Sequence, residues 1–363
     1  MLNLLDYSLE EFEEFLKKNR EKPFRARQIW KWIWEKECDD FFKMTDISKQ
    51  LRVFLSRYFT LKRPEVLTIK RSSDKTAKFL LKLKDGHLIE TVLIPEEDHY
   101  TLCVSSQVGC PMECKFCSTG KMGFERNLTS GEILSQVLIA RQYLKDTKES
   151  LPLRNIVFMG MGEPLLNWIQ VKKALRVITD RNALGFSKRR TTISTVGFPE
   201  ILRDFVESDL GSLAISLHAP NQKLREELMP KAAKACSLEE LLSCLKELPI
   251  KSRQRITVEY ILIDNVNDSI SHARELCKIL SHIRCKVNLI AYNPVEDIPF
   301  KGPSEEKILE FENFLKSKNF TVTLRKSKGR DISAACGQLR ASMLTEIAGD
   351  ERCLNQTFQR ETV

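Results

Sequence analysis

The run Tyr100-Thr101-Leu102-Cys103-Val104-Ser105, followed by Gly109-Cys110-Pro111-Met112-Glu113-Cys114-Lys115-Phe116-Cys117-Ser118-Thr119, passes from an extended apolar segment into a loop with the spacing Cys-x3-Cys-x2-Cys. Intervals of four and three residues let one short loop fold its thiolates around a single small object. Thiolate sulfur is soft, so an iron–sulfur cluster or zinc is the object to expect. Either normally takes four ligands. The nearest upstream donors, Cys103 and His99, stand seven and eleven residues before Cys110. A trio of ligands therefore points to a cluster with one iron left open for something else to bind. A zinc knot completed by a distant residue is the alternative reading, and a disulfide a weaker third.

Downstream of this loop, strands and helices alternate. Thr129-Ser130-Gly131-Glu132 has capping-box spacing and opens a helix bearing Ile133, Leu134, Val137 and Leu138. Strand patterns follow at 155–159, 190–194, 212–217, 256–262, 286–290 and 322–324, separated by helical stretches such as Ile169–Thr179, Leu238–Leu248 and Glu305–Ser317. Alternation this regular means parallel βαβ units. About six units are visible, which predicts an α/β fold built as a partial (β/α)6 barrel rather than a closed eight-strand one.

Upstream, Thr76–Leu83 and Leu88–Ile94 alternate apolar and polar residues about an Asp85-Gly86 turn, which reads as a β-hairpin. The first 62 residues read as a small helical domain. Leu9, Phe12, Phe15 and Leu16 recur at helical spacing, and Ile29, Trp30, Ile33 and Trp34 repeat the pattern after Pro23. The expected organisation is 1–62 helical accessory domain, 63–102 hairpin extension, 103–340 barrel and 341–363 tail.

Composition narrows the class. With 363 residues the chain suits a large domain and a smaller companion. Eleven cysteines, an odd and scattered set, argue for a reducing compartment rather than a secreted disulfide scaffold. Met1 leads directly into a polar, acidic helix pattern, and no apolar run reaches the ~18–20 residues that span a bilayer. The expectation is a cytoplasmic protein without membrane attachment. The net charge of +9 favours a polyanionic partner. Residues Leu16 to Gln28 hold six positive charges against one negative, either a solvated turn or a contact to an RNA backbone.

In parallel barrels chemistry sits at the C-terminal ends of the strands. One strand ends in Met159-Gly160-Met161-Gly162-Glu163-Pro164, whose glycines would let a ligand approach the backbone and whose carboxylate would bind a cationic amine. Others end at Ser194-Thr195, at Ser216-Leu217-His218 and at Tyr292-Asn293. His218 alone reads equally as a buried hydrogen-bonded histidine or a ligand contact. Cys336, among small residues and directly before Gly337, has the surroundings of an accessible nucleophile, while Cys103 lies on the strand entering the cysteine loop. Each, singly, also fits a packing thiol.

Taken together these segments resemble the radical S-adenosylmethionine superfamily, whose loop is Cys-x3-Cys-x2-Cys with an aromatic before the last cysteine, here Phe116. Within it, Cys103–Cys110, Cys117–Gly120, Gly160–Leu165, Ala334–Leu339 and Lys22–Ile29 resemble the bacterial RNA adenine-C2 methyltransferases of the RlmN type. The resemblance implies that Cys110, Cys114 and Cys117 ligate a [4Fe–4S] cluster. It implies that Gly162, Glu163, Ser194, Ser216, Leu217, His218 and Asn293 hold S-adenosylmethionine. Cys336 would take a methyl group from one cofactor molecule. A second, cleaved reductively to a 5′-deoxyadenosyl radical, would activate that methyl to add to the base. Cys103 would release the product through a transient Cys103–Cys336 disulfide, and Glu90, on the hairpin, would accept the proton from carbon 2. The implied partners are 23S rRNA, a tRNA anticodon loop and an external one-electron donor. The rival activities are the sister carbon-8 methyltransferase, a zinc-containing RNA-binding module, and a radical enzyme acting on small molecules, which would give Cys103 and Cys336 no role.

Lys17–Arg27 and Arg325–Arg330 are the candidate phosphate contacts. Neutralising Lys17, Lys18 and Arg25 together should weaken RNA binding and flatten its dependence on salt concentration; an unchanged slope in a salt titration removes this patch from the interface.

Overall fold

The structure is a computed structural model that describes residues 1–341. The expected tail, Cys353 included, lies outside the described residues apart from Ala341. The amino-terminal region forms helices Leu9–Lys18, Phe24–Trp34 and Lys49–Tyr58. Ser8 starts the first through a capping box, its hydroxyl accepting the Glu11 N–H while the Glu11 carboxylate accepts its own. Pro23 stands at the N-cap of the second, where its missing N–H costs nothing. Phe12, Leu16, Ile29, Ile33 and Trp34 are fully buried, so the spacing read from the sequence is the spacing of the core. A short parallel pairing of Leu2–Asn3 with Phe59–Thr60 closes this unit. Ion pairs Lys173–Glu11 and Lys145–Glu37, at 2.7 and 2.8 Å, tie it to the barrel helices.

A ten-stranded sheet forms the rest, and its strands lie side by side in chain order. The hairpin strands Ala77–Lys82 and Leu88–Pro95 pair antiparallel about Gly86, which takes φ +90°, a conformation that favours glycine. A further antiparallel strand, Glu65–Arg71, forms the exposed edge. On the other side Leu88–Pro95 pairs with Tyr100–Cys103, the first strand of the parallel series. Leu153–Phe158, Thr191–Thr195, Ser212–Ser216, Ile256–Leu262, Cys285–Ala291 and Val322–Arg325 follow, all parallel. Six strand–helix units plus a seventh strand thus make an open partial barrel, with a mixed sheet continuing into the antiparallel extension.

The loop after the first strand is held from beneath. Gln136, fully buried on helix Ser130–Asp146, accepts the Ser105 N–H at 2.8 Å and donates to the Ser105 carbonyl at 2.9 Å. Asn167 donates to the carbonyls of Ser106 and Leu128, both at 2.8 Å. These amides supply partners that an irregular buried backbone lacks. Gln136→Leu should lower stability by roughly 2–6 kcal/mol, ~1–3 for each orphaned backbone group, read by urea unfolding. A loss below about 1 kcal/mol would show that the clamp is redundant.

Candidate active site at the strand ends

Two cavities open at the C-terminal ends of the parallel strands. The inner one, ≈ 150 Å³, is lined by Cys110, Cys114, Cys117, Gly162, Glu163, Ser194, Ser216, His218, Glu259 and Cys336. The outer one, ≈ 560 Å³, is lined by Cys103, Asn293, Arg325, Lys326, Lys328 and Cys336 among others. Cys336 belongs to both, as do Met159 and Ile290. Leu217 packs into the core, 1% exposed, and Asn293 faces the outer cavity rather than the inner, donating toward the Cys336 carbonyl at 3.5 Å.

Gly160 and Gly162 line the inner cavity, and each also has a second physical reason to be glycine. A Cβ on Gly162, which takes φ +104°, would meet the Gln107 backbone nitrogen at 2.8 Å, and one on Gly160 the Val104 carbonyl oxygen at 2.7 Å. They let two strand-end loops touch, and the touching loops set Glu163. The Gln107 side chain accepts the Glu163 N–H at 2.8 Å. The Glu163 carboxylate accepts the N–H groups of Leu165 and Val196, both at 3.0 Å. Burial outweighs these hydrogen bonds and pushes its pKa up to about 7.

His218 is nine-tenths buried, and its Nδ1 accepts the Ile261 N–H at 3.1 Å. The ring proton therefore sits on Nε2. Burial, then the positive charge of Arg225, hold its pKa down to about 3, so the ring is neutral at physiological pH. Phe116 packs edge-on against it at 5.1 Å. Ser194 Oγ lies 3.1 Å from Ser216 Oγ and donates to the Glu259 carboxylate.

Glu259 was missed in the sequence. It lines the inner cavity, 4% exposed, and its Oε1 has no protein partner. The signal was available: it is the lone carboxylate in the apolar strand Ile256-Thr257-Val258-Glu259-Tyr260-Ile261-Leu262. Arg325, the first residue of the basic run 325–330, is half-buried in the outer cavity, where both Cys103 and Cys336 act on its charge. Lys326 of that segment is exposed and lines the outer cavity, and Arg330 is exposed as well. Glu90 is fully buried, which removes the plain surface carboxylate as a reading. It pairs with Lys78 at 2.8 Å and accepts the Arg340 N–H at 2.8 Å, and it lines neither cavity. Lys78 too could have been found: in the hairpin register Glu90 faces Leu80, placing Lys78 diagonally across.

The donor set fits the cluster that the loop spacing suggested. All three thiols line the inner cavity, and burial raises the pKa of each, Cys110 to about 12. Such thiols give up their protons to a metal, not to water. Among the described residues no three His, Cys, Asp or Glu side chains converge to hold a single metal ion.

A partial parallel barrel with this loop and cavity defines a radical S-adenosylmethionine enzyme. The radical SAM superfamily model matches residues 104–277, and the ribosomal RNA large subunit methyltransferase N-terminal domain model matches 2–61. The chain is 52% identical over 356 residues to the dual-specificity RNA methyltransferase RlmN of Nitratidesulfovibrio vulgaris strain Miyazaki F, covering 96% of this chain and 97% of the relative. It is 43% identical to that of Campylobacter lari, covering 93% and 97%. The crystal structure of a radical SAM methyltransferase from Sphaerobacter thermophilus superimposes with a TM-score of 0.88 at 40% identity, covering 94% of this chain and 100% of that one. The chain belongs to the RlmN family. Membership brings a [4Fe–4S] cluster and S-adenosylmethionine as cofactors.

If the Glu163 carboxylate receives the ammonium group of S-adenosylmethionine, protons compete for it and affinity should fall as pH drops below about 7, the value to which burial raises this group. Anaerobic equilibrium binding across pH 5–8 measures it; Glu163→Gln should bind more weakly and lose that pH dependence.

Proposed function

We propose that this chain methylates carbon 2 of an adenine in 23S rRNA, and of an adenine in the tRNA anticodon loop, with Cys336 carrying the methyl group and Cys103 releasing the product. The observation that carries this reading is the position of Cys336 on the wall shared by the two cavities. A thiol there can be loaded from one side and offer its methyl group to a base on the other. Carbon 2 of adenine is electron-poor and has no lone pair for polar methyl transfer, so a carrier of this kind meets a chemical need.

In this reading Cys110, Cys114 and Cys117 hold the cluster, and Gly162, Glu163, Ser194, Ser216 and His218 hold S-adenosylmethionine. Leu217 would contribute through its backbone and Asn293 from the outer side. When bound, the cofactors supply the methyl group and the means of activating it; an external one-electron donor supplies the electron. The base is extruded from folded RNA into the outer cavity, past Lys326 and Lys328.

Cys103 lines the outer cavity and not the inner one, and burial, then Cys336, push its thiol up to about 12. It stays protonated and resistant to oxidation at rest. Its proton leaves next to the Arg325 guanidinium, whose charge favours the thiolate. As the Cys103–Cys336 bond forms, the bond from the Cys336 sulfur to the carried carbon breaks, the electron pair leaving on that carbon, which takes up a proton to complete the methyl group on the base; cellular reductants then reset the disulfide. Glu90 accepts the proton from carbon 2. The Arg340 N–H, bonded to its Oε2 at 2.8 Å, ties this carboxylate to the segment that carries Cys336. A reducing, cytoplasmic setting is the one this thiol chemistry requires; among the described residues no helix is long and apolar enough to cross a membrane.

Nucleoside mass spectrometry of ribosomal and transfer RNA from cells with and without the gene tests the assignment. Loss of 2-methyladenosine from both is expected. Loss of 8-methyladenosine instead would assign the sister activity. Cys103→Ala should trap a covalent protein–RNA adduct through Cys336; its absence from denaturing gels would overturn the resolving role.

A further inference from the structure

Helix Gln222–Leu228 packs against the cysteine loop. The Leu228 carbonyl accepts the Lys115 N–H at 3.0 Å, and Leu224 and Leu228 cluster with Met112, Phe116 and the three loop cysteines. Arg225 on this helix is 0% exposed. Its guanidinium donates to the carbonyls of Ala232 at 3.4 Å, Val196 at 3.2 Å and Cys236, while its Nε has no partner at all. No carboxylate pairs with it among the described residues; the acidic groups that act on its charge are the thiols of Cys236 and Cys114. A buried cation without an anion is expensive, and three backbone carbonyls do not cancel a full charge.

We propose that Arg225, carried by a helix packed against the cysteine loop, is the counter-charge of the iron–sulfur cluster and holds the cluster's reduction potential up. This rests on Cys110, Cys114 and Cys117 being the cluster ligands. Each thiolate adds a negative charge to the buried site, and taking one electron from the external donor adds another. A fixed positive charge in a low-dielectric surrounding stabilises the reduced form more than the oxidised one. The neighbouring ionisable group on the cofactor side, His218, stays neutral and offers no competing cation. Arg225 is in this sense a positioning charge, touching neither substrate nor the reacting atoms.

The rival account makes Arg225 only a clamp for the loop through Cys236. Three variants of the anaerobically loaded full chain separate them: Arg225→Lys keeps the charge and loses the planar fork, whereas Arg225→Gln and Arg225→Met lose the charge. In a redox titration followed by electron paramagnetic resonance, the ratio of reduced to oxidised cluster at fixed potential should fall tenfold or more in both neutral variants. That corresponds to a midpoint at least 59 mV more negative for a one-electron couple. Arg225→Lys should stay within the same decade as the parent. Neutral variants that shed iron while Arg225→Lys keeps it would support the proposal equally. Titration curves that coincide in all four proteins, or iron loss or a common shift in all three variants, would overturn it. Cys114→Ala is the separate control on the ligand set: full iron retention there would refute the ligand assignment, whatever Arg225 does.

Discussion

Two hydrogen bonds join the cysteine loop to the last described segment of the chain: Ser118 N–H to the Gly337 carbonyl at 2.7 Å, and Thr119 Oγ1 to the Leu339 carbonyl at 2.7 Å. They connect residues more than 200 apart in sequence and place Cys336 on the boundary of two cavities. Gly337 takes φ +82°, a conformation that favours glycine, and a Cβ there would crowd the Phe116 carbonyl oxygen at 3.3 Å, so glycine lets this segment, a strap over the loop, pack closely on it. The arrangement of thiols described above depends on that contact.

The charges around the site follow one pattern. Glu90, Glu163, Glu259 and Arg225 are all removed from water, and only Glu90 is matched by a conventional ion pair. Its partner Lys78 also reaches toward the Ser333 carbonyl at 3.4 Å, so the ion pair braces the strap from the hairpin side. The others are held by backbone amides, hydroxyls or carbonyls, which orient a charge without neutralising it. Buried, uncancelled charge costs stability, and in a binding site that cost is offset when a ligand of opposite sign arrives.

Much of this was legible from the chain. The strand–helix alternation, the Thr129 capping box, the Asp85-Gly86 hairpin and the buried faces of the first two helices all have the periodicity that the fold uses. The cysteine loop, Glu163, Ser194, Ser216 and His218 were readable because polar residues at the ends of apolar strands have few other reasons to be there. Glu259 and Lys78 were overlooked although each left a mark, a lone carboxylate in an apolar strand and a cation diagonal to a buried acid. Arg225 left none. It sits on a seven-residue helix whose pattern is that of any polar surface turn.

Local pattern determined what could be determined by short-range physics: where backbone hydrogen bonds repeat, which faces are apolar, and which three sulfurs can share one metal group. The tertiary structure alone decided what depends on distance through space. It turned the glycines of Gly160-Met161-Gly162 toward a neighbouring loop, drew Arg325 inward from a basic run, split the strand-end residues between two cavities, and buried Arg225 on a helix packed against the cysteine loop. The reason is that burial sets the energy of a charge or a thiol, and burial is a property of every element packed around a residue, not of its neighbours in the chain.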